Sequence, residues 1–448
     1  MRTDFRLSTA AVCRASLNRA AFNIALRTLG GVFALALISR PATAQTSSQP
    51  APPAPITSST AIPVRVLKNV VSSDTTLMTD IASARDLPNG SVIINDPGRR
   101  QLVLFDSTFR THRVIADTSS NSPNSYGLFG GSGGMVPYVG DSTLLVDAQS
   151  AAMLVIDQTG KFARVMAPVR ANDMYYVTSG QFGMAGFDPK GRLVYRTRLN
   201  NGNDMFSKRD PSGKPTVYAM PDSSPLLRAD FDKRTVDTIT FVKAPLERYL
   251  VVATENTMRM YPVVNPLPAG DEWTLLPDGT IAIVRGQDYH VDWLSPDGKL
   301  TSSPKMPFAW KRITLEEKQA MLDSLKKADA ERVAKLPPPP PPIPGQRAMP
   351  TTPFTTVEPK DMPDFYPPVR QGQVRADPQG NVWILPSTAV DASAGLTFDV
   401  VNRKGEIVER VQLPKGRALV GFSRSGGVFM ANVISPTKAA IERADIVR

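Results

Sequence analysis

Short apolar runs separated by tight turns dominate the chain, and one stretch displays the unit in full. Residues 271–306 read DEWTLLPDGTIAIVRGQDYHVDWLSPDGKLTSSPKM. EWTLL (272–276) meets the turn Leu276-Pro277-Asp278-Gly279, and TIAIV (280–284) follows. Residues 285–288 lead into YHVDWL (289–294), and Ser295-Pro296-Asp297-Gly298 turns the chain into KLTSSPKM (299–306). Pro pre-sets φ, Asp tolerates tight geometry, and Gly takes positive φ without a Cβ clash. β-branched and aromatic runs between such turns predict four antiparallel strands, with Trp273 and Trp293 in the core.

Five other places overlay on this unit. They span about 81–116, 135–167, 181–242, 373–413 and 418–448, the third carrying an insertion. The last has three strand-like runs and lacks a fourth. A spare run, IPVRVLKNV (62–70), sits at the opposite end of the fold. Pairing it with the C-terminal strands predicts a closed ring of six four-stranded units, which leaves no sheet edge to aggregate.

The turns Asp188-Pro189-Lys190-Gly191, Leu276-Pro277-Asp278-Gly279, Ser295-Pro296-Asp297-Gly298 and Asp377-Pro378-Gln379-Gly380 carry a resemblance. The chain resembles the six-bladed β-propellers of the TolB-like and NHL-like group from residue 62 onward, insertions aside. The implied fold class is all-β. The group includes binding scaffolds, hydrolases and lyases, so the fold does not decide the function.

The predicted first-to-second and third-to-fourth strand turns are tight. The long segments 117–134, 168–180, 198–224, 243–270 and 307–372 all fall on the opposite face, which is therefore the expected functional face. Within 307–372, Thr314 and Glu317 have capping-box spacing, and a helix is predicted over 315–336. Six prolines, 337–342, then dictate an extended stretch within a Pro-rich segment, 337–368. This insertion is a candidate lid or partner-binding arm, or a decoration.

The N-terminus changes the charge picture. Residues 1–44 combine arginines, an apolar run over 29–39 and Ala42-Thr43-Ala44, the pattern of a cleaved export signal. The apolar run is too short for a comfortable span, which needs ~20 residues, so no stable membrane span is expected after cleavage. Residues 45–61 read as a disordered linker. The segment removed holds six arginines and one acid, so the formal charge of +11 falls to +6. With no clustered basic stripe, nucleic acid is not an expected partner. The single cysteine, Cys13, lies in that segment. Periplasmic or secreted localisation follows as the expectation.

Chemistry-bearing residues are sparse. Only His112 and His290 occur, so a three-histidine metal site is ruled out. His112 is expected to be solvated on an outer strand, and no G-x-S-x-G elbow accompanies His290. No catalytic residue is assigned. Residues 127–134 are glycine-rich but lack the Lys-Ser/Thr ending of a phosphate loop. In register, the second-to-third strand loops present Asp96, Asp147, Arg196, Arg285, Asp288, Ser387 and Asn432 on one face, with His290 beside them. Oxygen ligands of this kind can hold Ca²⁺, as in gluconolactonase-like propellers, but that family's two acids and two amides find no motif match. Arg196 and Arg285 suit a carboxylate or phosphate ligand instead, and replacing both is expected to impair function in a folded ring. Alternatively, these side chains cap strand ends and pair with one another. Tyr175-Tyr176 and Phe365-Tyr366 suit glycan or peptide contacts, or packing of the insertions. The function expected is a binding module for a protein, peptide or glycan, with no cofactor. The alternative is a Ca²⁺-dependent lactonase-type hydrolase or lyase at the channel mouth.

Overall fold

The computed structural model describes residues 62–73, 78–118, 134–147, 152–199, 210, 214–253, 258–335, 354–391, 395–435 and 437–446. The export signal, the linker, most of the glycine-rich segment and prolines 337–342 lie outside the described residues. Strand accounts for 47% and helix for 11%, so the chain is mostly β and consists of many small sheets.

Four sheets are simple antiparallel meanders of four strands. The first runs from Ser83–Asp86 to His112–Ala116, and the second from Gly134–Pro137 to Phe162–Met166. The third joins Gly186–Phe187, Leu193–Arg196, Ser223–Asp230 and Thr235–Lys243. The fourth joins Glu272–Leu275, Ile281–Arg285, His290–Leu294 and Leu300–Ser302. Two further meanders, one starting at Val374–Ala376 and one at Arg417–Phe422, are merged into a single nine-stranded sheet by the N-terminal strand Val64–Ser72. Residues Val64 to Val66 of that strand pair in parallel with Ile407–Gln412, Val64 opposite Arg410. The rest pairs antiparallel with Lys438–Ile446, Leu67 opposite Ile446.

The hairpin turns share one hydrogen-bond pattern. Leu276 N–H donates to the Thr280 carbonyl at 2.9 Å, and Gly279 N–H to the Leu276 carbonyl at 2.9 Å, with Gly279 at φ +86°. A type I turn followed by a left-handed residue forms this bulged hairpin. In the first sheet Phe109 takes the left-handed place at φ 58°. Its buried ring packs edge-on against Phe105 at 5.9 Å, and that burial offsets the backbone strain.

Sheet-to-sheet packing supplies the core. Ile93 and Leu104 meet Leu145 and Leu154 between the first and second sheets. Leu144 and Val146 meet Leu193 and Tyr195, and Val194 and Leu226 meet Trp273 and Ile283. Val284 and Val291 meet Val382 and Ile384, and Trp383 and Phe398 meet Leu419 and Met430. Phe429 and Ile441, near the C-terminus, meet Ile94 and Phe105 of the first sheet. Inner strands are thus buried on both faces, as the wholly buried Val92–Asp96 shows, while the outer strand His112–Ala116 is largely exposed. That two-sided burial is why the inner strands read as short apolar runs and not as alternation. This succession of four-stranded meanders packed face to face is a β-propeller type of architecture.

The insertions, which read in sequence as separate loops, converge. Thr216–Ala219, Arg248–Ala253, Met258–Val264 and Thr355–Thr356 form an accessory four-stranded sheet. Helix Leu315–Ala334, capped by a reciprocal Thr314–Glu317 box, buries Leu322 against Val357 and Met362 beside it. Its Lys318 is buried too, donating to the Met362 carbonyl at 3.1 Å and to Asp364 at 2.8 Å. Arg248 grips Asp361 through two hydrogen bonds, Nη2 to Oδ1 at 3.1 Å and a shorter one from Nη1. Each segment alone is too short to stand in water, and together they share one sheet.

Two predictions follow from this packing. A Cβ on Gly421 would lie 1.9 Å from the Ala84 carbonyl oxygen, so Gly421→Ala must separate the first sheet from the last strands. Loss of about 1–3 kcal/mol in denaturant unfolding is expected, against about 1 kcal/mol for Gly140→Ala, where φ is +63° but nothing lies within 4 Å. The second concerns acid. Hydrogen bonding to Arg248 holds the Asp361 carboxyl below its usual value. A depressed carboxylate stabilises the fold above the unfolded pKa of about 3.9 and loses that contribution as pH falls through the folded value. Asp361→Asn should therefore cost on the order of 1 kcal/mol at pH 7, and thermal melts of variant and parent should converge as pH drops below 4.

Candidate functional site

The predicted residues fall into separate hydrogen-bonded sets. Four of them, Arg196, Arg285, Asp288 and His290, are linked by Asp271 and Glu272 at the start of the fourth sheet and by Asp292 in its third strand. Arg196 ends the second strand of the third sheet and is only 2% exposed. Its Nη1 donates to the Asp271 carbonyl at 2.9 Å, and its Nη2 donates to the Gln181 carbonyl at 2.9 Å and to Glu272 Oε1 at 3.2 Å. Burial raises the pKa of Glu272, and the Arg196 charge opposes that rise. Arg285 donates from Nε to Asp292 at 2.6 Å and from Nη1 to Asp271 at 2.7 Å. His290 lies between two carboxylates, Nδ1 at 2.6 Å from Asp288 and Nε2 at 3.2 Å from Asp292. Burial acts against ionisation of Asp292, but Ser302 and Arg285 outweigh it and hold the carboxyl below its usual value. Lys305 sits 3.3 Å from Asp288.

The remaining candidates have local duties. Asp96 is fully buried and accepts the backbone N–H groups of Thr79, Asp80 and Arg99 at 2.9–3.1 Å, capping a loop. Asn432 donates to Glu442 at 2.8 Å, which also takes two hydrogen bonds from Arg417. Asp147 is buried at the end of Thr143–Asp147, and Ser387 opens the short 3-10 turn Ser387–Ala389. His112 is exposed and stacks on Phe105 at 5.3 Å.

The network also pins a turn. Trp273 Nε1 donates to the Phe182 carbonyl at 2.7 Å, next to the Gln181 carbonyl held by Arg196. Gly183, at φ +83°, lies against the Trp273 indole, where a Cβ would come within 2.6 Å of Nε1. A Cβ on Gly372 would fall 2.3 Å from the Gly180 carbonyl oxygen, so backbone meets backbone across this site.

Beside the turn runs a narrow cleft between the third sheet and the accessory strands, lined by Phe182, Arg196, Arg198, Met220, Ser224 and Glu247. Arg198 lies over the rings of Phe182 at 5.0 Å and Tyr249 at 5.8 Å, donates to Tyr249 Oη at 2.7 Å and ion-pairs with Glu247. Burial, opposed by the Arg198 charge and aided by Glu247, pushes Tyr249 up to about 12. Tyr176 packs edge-on against Phe182 at 4.9 Å, and Tyr175 is more exposed.

Sequence reasoning missed Asp271, Glu272, Arg198, Glu247 and Tyr249. The acidic pair 271–272 opens an apolar strand, and charge at such a position was the available signal. The Arg198–Glu247–Tyr249 set is joined only by the accessory sheet, which no local pattern announces.

The donor set does not fit Ca²⁺. Asp271 and Asp292 are neutralised by Arg285 and Glu272 by Arg196, and Asp399 takes Tyr289 Oη at 2.7 Å and Arg410 at 2.8 Å. Among the described residues no group of three His, Cys, Asp or Glu is placed to hold a metal ion.

No family model matches the sequence. No curated protein matches it either. Several solved structures align with it at low similarity. A gluconolactonase from Xanthomonas campestris aligns at 10% identity over 88% of this chain and 99% of its own, with a TM-score of 0.41. A streptogramin B lyase aligns at 10% over 84% and 97%, with a TM-score of 0.37. Regucalcin from Agrobacterium tumefaciens, a calcium-binding protein, aligns at 10% over 87% and 100%, with a TM-score of 0.34. At such identities and scores the activities remain those of the other proteins.

The buried pair sets a test that revises the expectation that Arg196 can be removed from an intact ring. Arg196→Met leaves the Glu272 charge buried without its partner, and unfolding should weaken by about 3–5 kcal/mol. Replacing both residues with methionine should restore most of that loss in a double-mutant cycle measured by denaturant unfolding.

Proposed function

We propose that this chain is an exported, six-bladed β-propeller binding module, with its ring closed by Val64–Ser72. Its ligand is a protein, peptide or glycan held on the face that carries the insertions. The observation that supports this reading most is the convergence of three separate insertions into one accessory sheet and helix, beside a cleft with aromatic, cationic and hydroxyl groups. Ordering three long segments costs conformational entropy, and a surface that gathers them on one side suits recognition. The six apolar interfaces, the last joining C-terminal strands to the first sheet, support the closed ring. Nucleic acid is not among the proposed partners. Among the described residues no helix is long and apolar enough to cross a membrane.

One observation favours the second reading, a lactonase-type hydrolase or lyase. His290 is about one-fifth exposed and is braced by Asp288 and Asp292, an arrangement that suits proton transfer. The internal pairing of every nearby carboxylate weighs against a Ca²⁺-dependent form of it.

Residues 45–448, purified without chelator, should carry no stoichiometric Ca²⁺ by elemental analysis and show the same melting temperature with and without EDTA. Peptide and glycan arrays should give saturable binding that weakens in Arg198→Gln. One Ca²⁺ per chain, a lower melting temperature on chelation and lactone hydrolysis lost in His290→Ala would replace the binding module with the hydrolase.

A further inference from the structure

A second surface shares no lining residue with the cleft. Downstream of the fourth sheet, Lys311 and Arg312 run beside Asp364, Phe365 and Tyr366 as a short two-stranded ribbon. Ile313 N–H donates to the Asp364 carbonyl at 2.9 Å and Tyr366 N–H to the Lys311 carbonyl at 3.0 Å, with Arg312 opposite Phe365. Side chains alternate across an extended ribbon. Lys311 and Tyr366 share one side, the ammonium 5.2 Å from the ring centre. Trp310, Arg312 and Phe365 share the other, and all three are exposed, Trp310 by 42% and Phe365 by 44%.

These rings are rooted in the core. Phe308 packs on the fully buried Tyr289 at 5.4 Å, Trp310 on Phe308 at 5.0 Å, and Phe365 on Trp310 at 6.2 Å, each edge to face. Tyr289 is itself anchored to Asp399 and held at φ 53°. The ladder fixes two large apolar rings at the surface, so little side-chain entropy is left to lose on contact. The Asp364 carboxylate beside them is taken by Lys318; the Arg312 charge adds to the pull that holds this carboxyl below its usual value, but Arg312 makes no ion pair within 4 Å among the described residues. Tryptophan and arginine together are the residues on which binding energy concentrates in protein interfaces.

We propose that the Trp310–Arg312–Phe365 surface docks an acidic segment of a partner protein, its carboxylate on Arg312 and a neighbouring apolar side chain in the corner between the two rings. The inference rests on the binding-module reading and names its partner. At 88° Trp310 and Phe365 make a corner, which fits a branched or aromatic side chain better than a pyranose stacked across both rings, and so favours a peptide. The guanidinium accepts a carboxylate bidentately.

The test uses residues 45–448 and a phage library of random dodecapeptides, with the recovered peptides synthesised and titrated by fluorescence anisotropy. Recovered sequences should pair Asp or Glu with an aromatic or branched apolar residue. Trp310→Ala and Arg312→Glu should each weaken binding about tenfold or more, and Arg312→Lys should recover part of it. Both substituted positions are surface positions, so each variant should stay folded, with Trp310→Ala melting somewhat lower because it loses its packing on Phe308 and both Arg312 variants melting close to the parent. Peptides that bind the parent, Trp310→Ala and Arg312→Glu alike but weaken in Arg198→Gln would overturn this surface and leave the binding module standing. Recovery of no peptide, or uronic-acid oligosaccharides bound through Trp310 in place of peptides, would overturn the proposal as well.

Discussion

The structure depends on apolar burial between sheets. No four-stranded meander here has a core of its own. Val92 and Ile94 look one way and Ile93 the other, so each sheet is stable only when both neighbours are present. The consequence reaches the turns. Sheets packed this closely leave little room at their inner edges, and Gly421 lies against the Ala84 carbonyl, where any side chain would intrude. The repeated Gly-ending hairpins serve the same need, reversing the chain in few residues so that strands stay short and the sheets stack.

Charge is distributed on a different principle. The strand ends of the third and fourth sheets carry a linked set, Arg196–Glu272, Arg285–Asp271 and Arg285–Asp292, whose members satisfy one another. Removing such groups from water is costly unless each finds a partner, and here Arg196 also fixes backbone by donating to the Gln181 and Asp271 carbonyls. A site whose carboxylates are spent on arginines has little to offer a cation. The polar chemistry that remains open lies at the margins, on His290, along the Arg198 cleft and on the exposed ribbon at Trp310.

The accessory sheet is where the chain departs furthest from a plain propeller. Its strands come from segments more than a hundred residues apart, Thr216–Ala219 and Thr355–Thr356. It is held by burial of Leu322, Val357 and Met362 and by the Arg248–Asp361 pair. The same region carries the helix Leu315–Ala334 and, through Ile313 and Asp364, the ribbon that presents the aromatic corner. Fold and proposed recognition surface are therefore built from different parts of the chain, a regular repeat for the former and irregular insertions for the latter.

The repeat was legible from the sequence alone because hairpin turns and apolar runs are local. Pro, Asp and Gly act within four residues, and strand burial shows in the run that carries it. The helix start at Thr314 was legible for the same reason, since a capping box spans only to Glu317. Position on a strand end singled out Arg196, Arg285 and His290, yet it could not tell a ligand-binding arginine from a buried brace. That distinction rests on Glu272 reaching Arg196 from the neighbouring sheet, and on Asp271 and Asp292 closing on Arg285 within its own. Tertiary structure alone decided that three loops share one sheet, that Arg198 meets Glu247 and Tyr249, and that Trp310 and Phe365 stand together at the surface. Those contacts join residues roughly fifty or more positions apart, and long-range pairing leaves no periodic trace in a sequence.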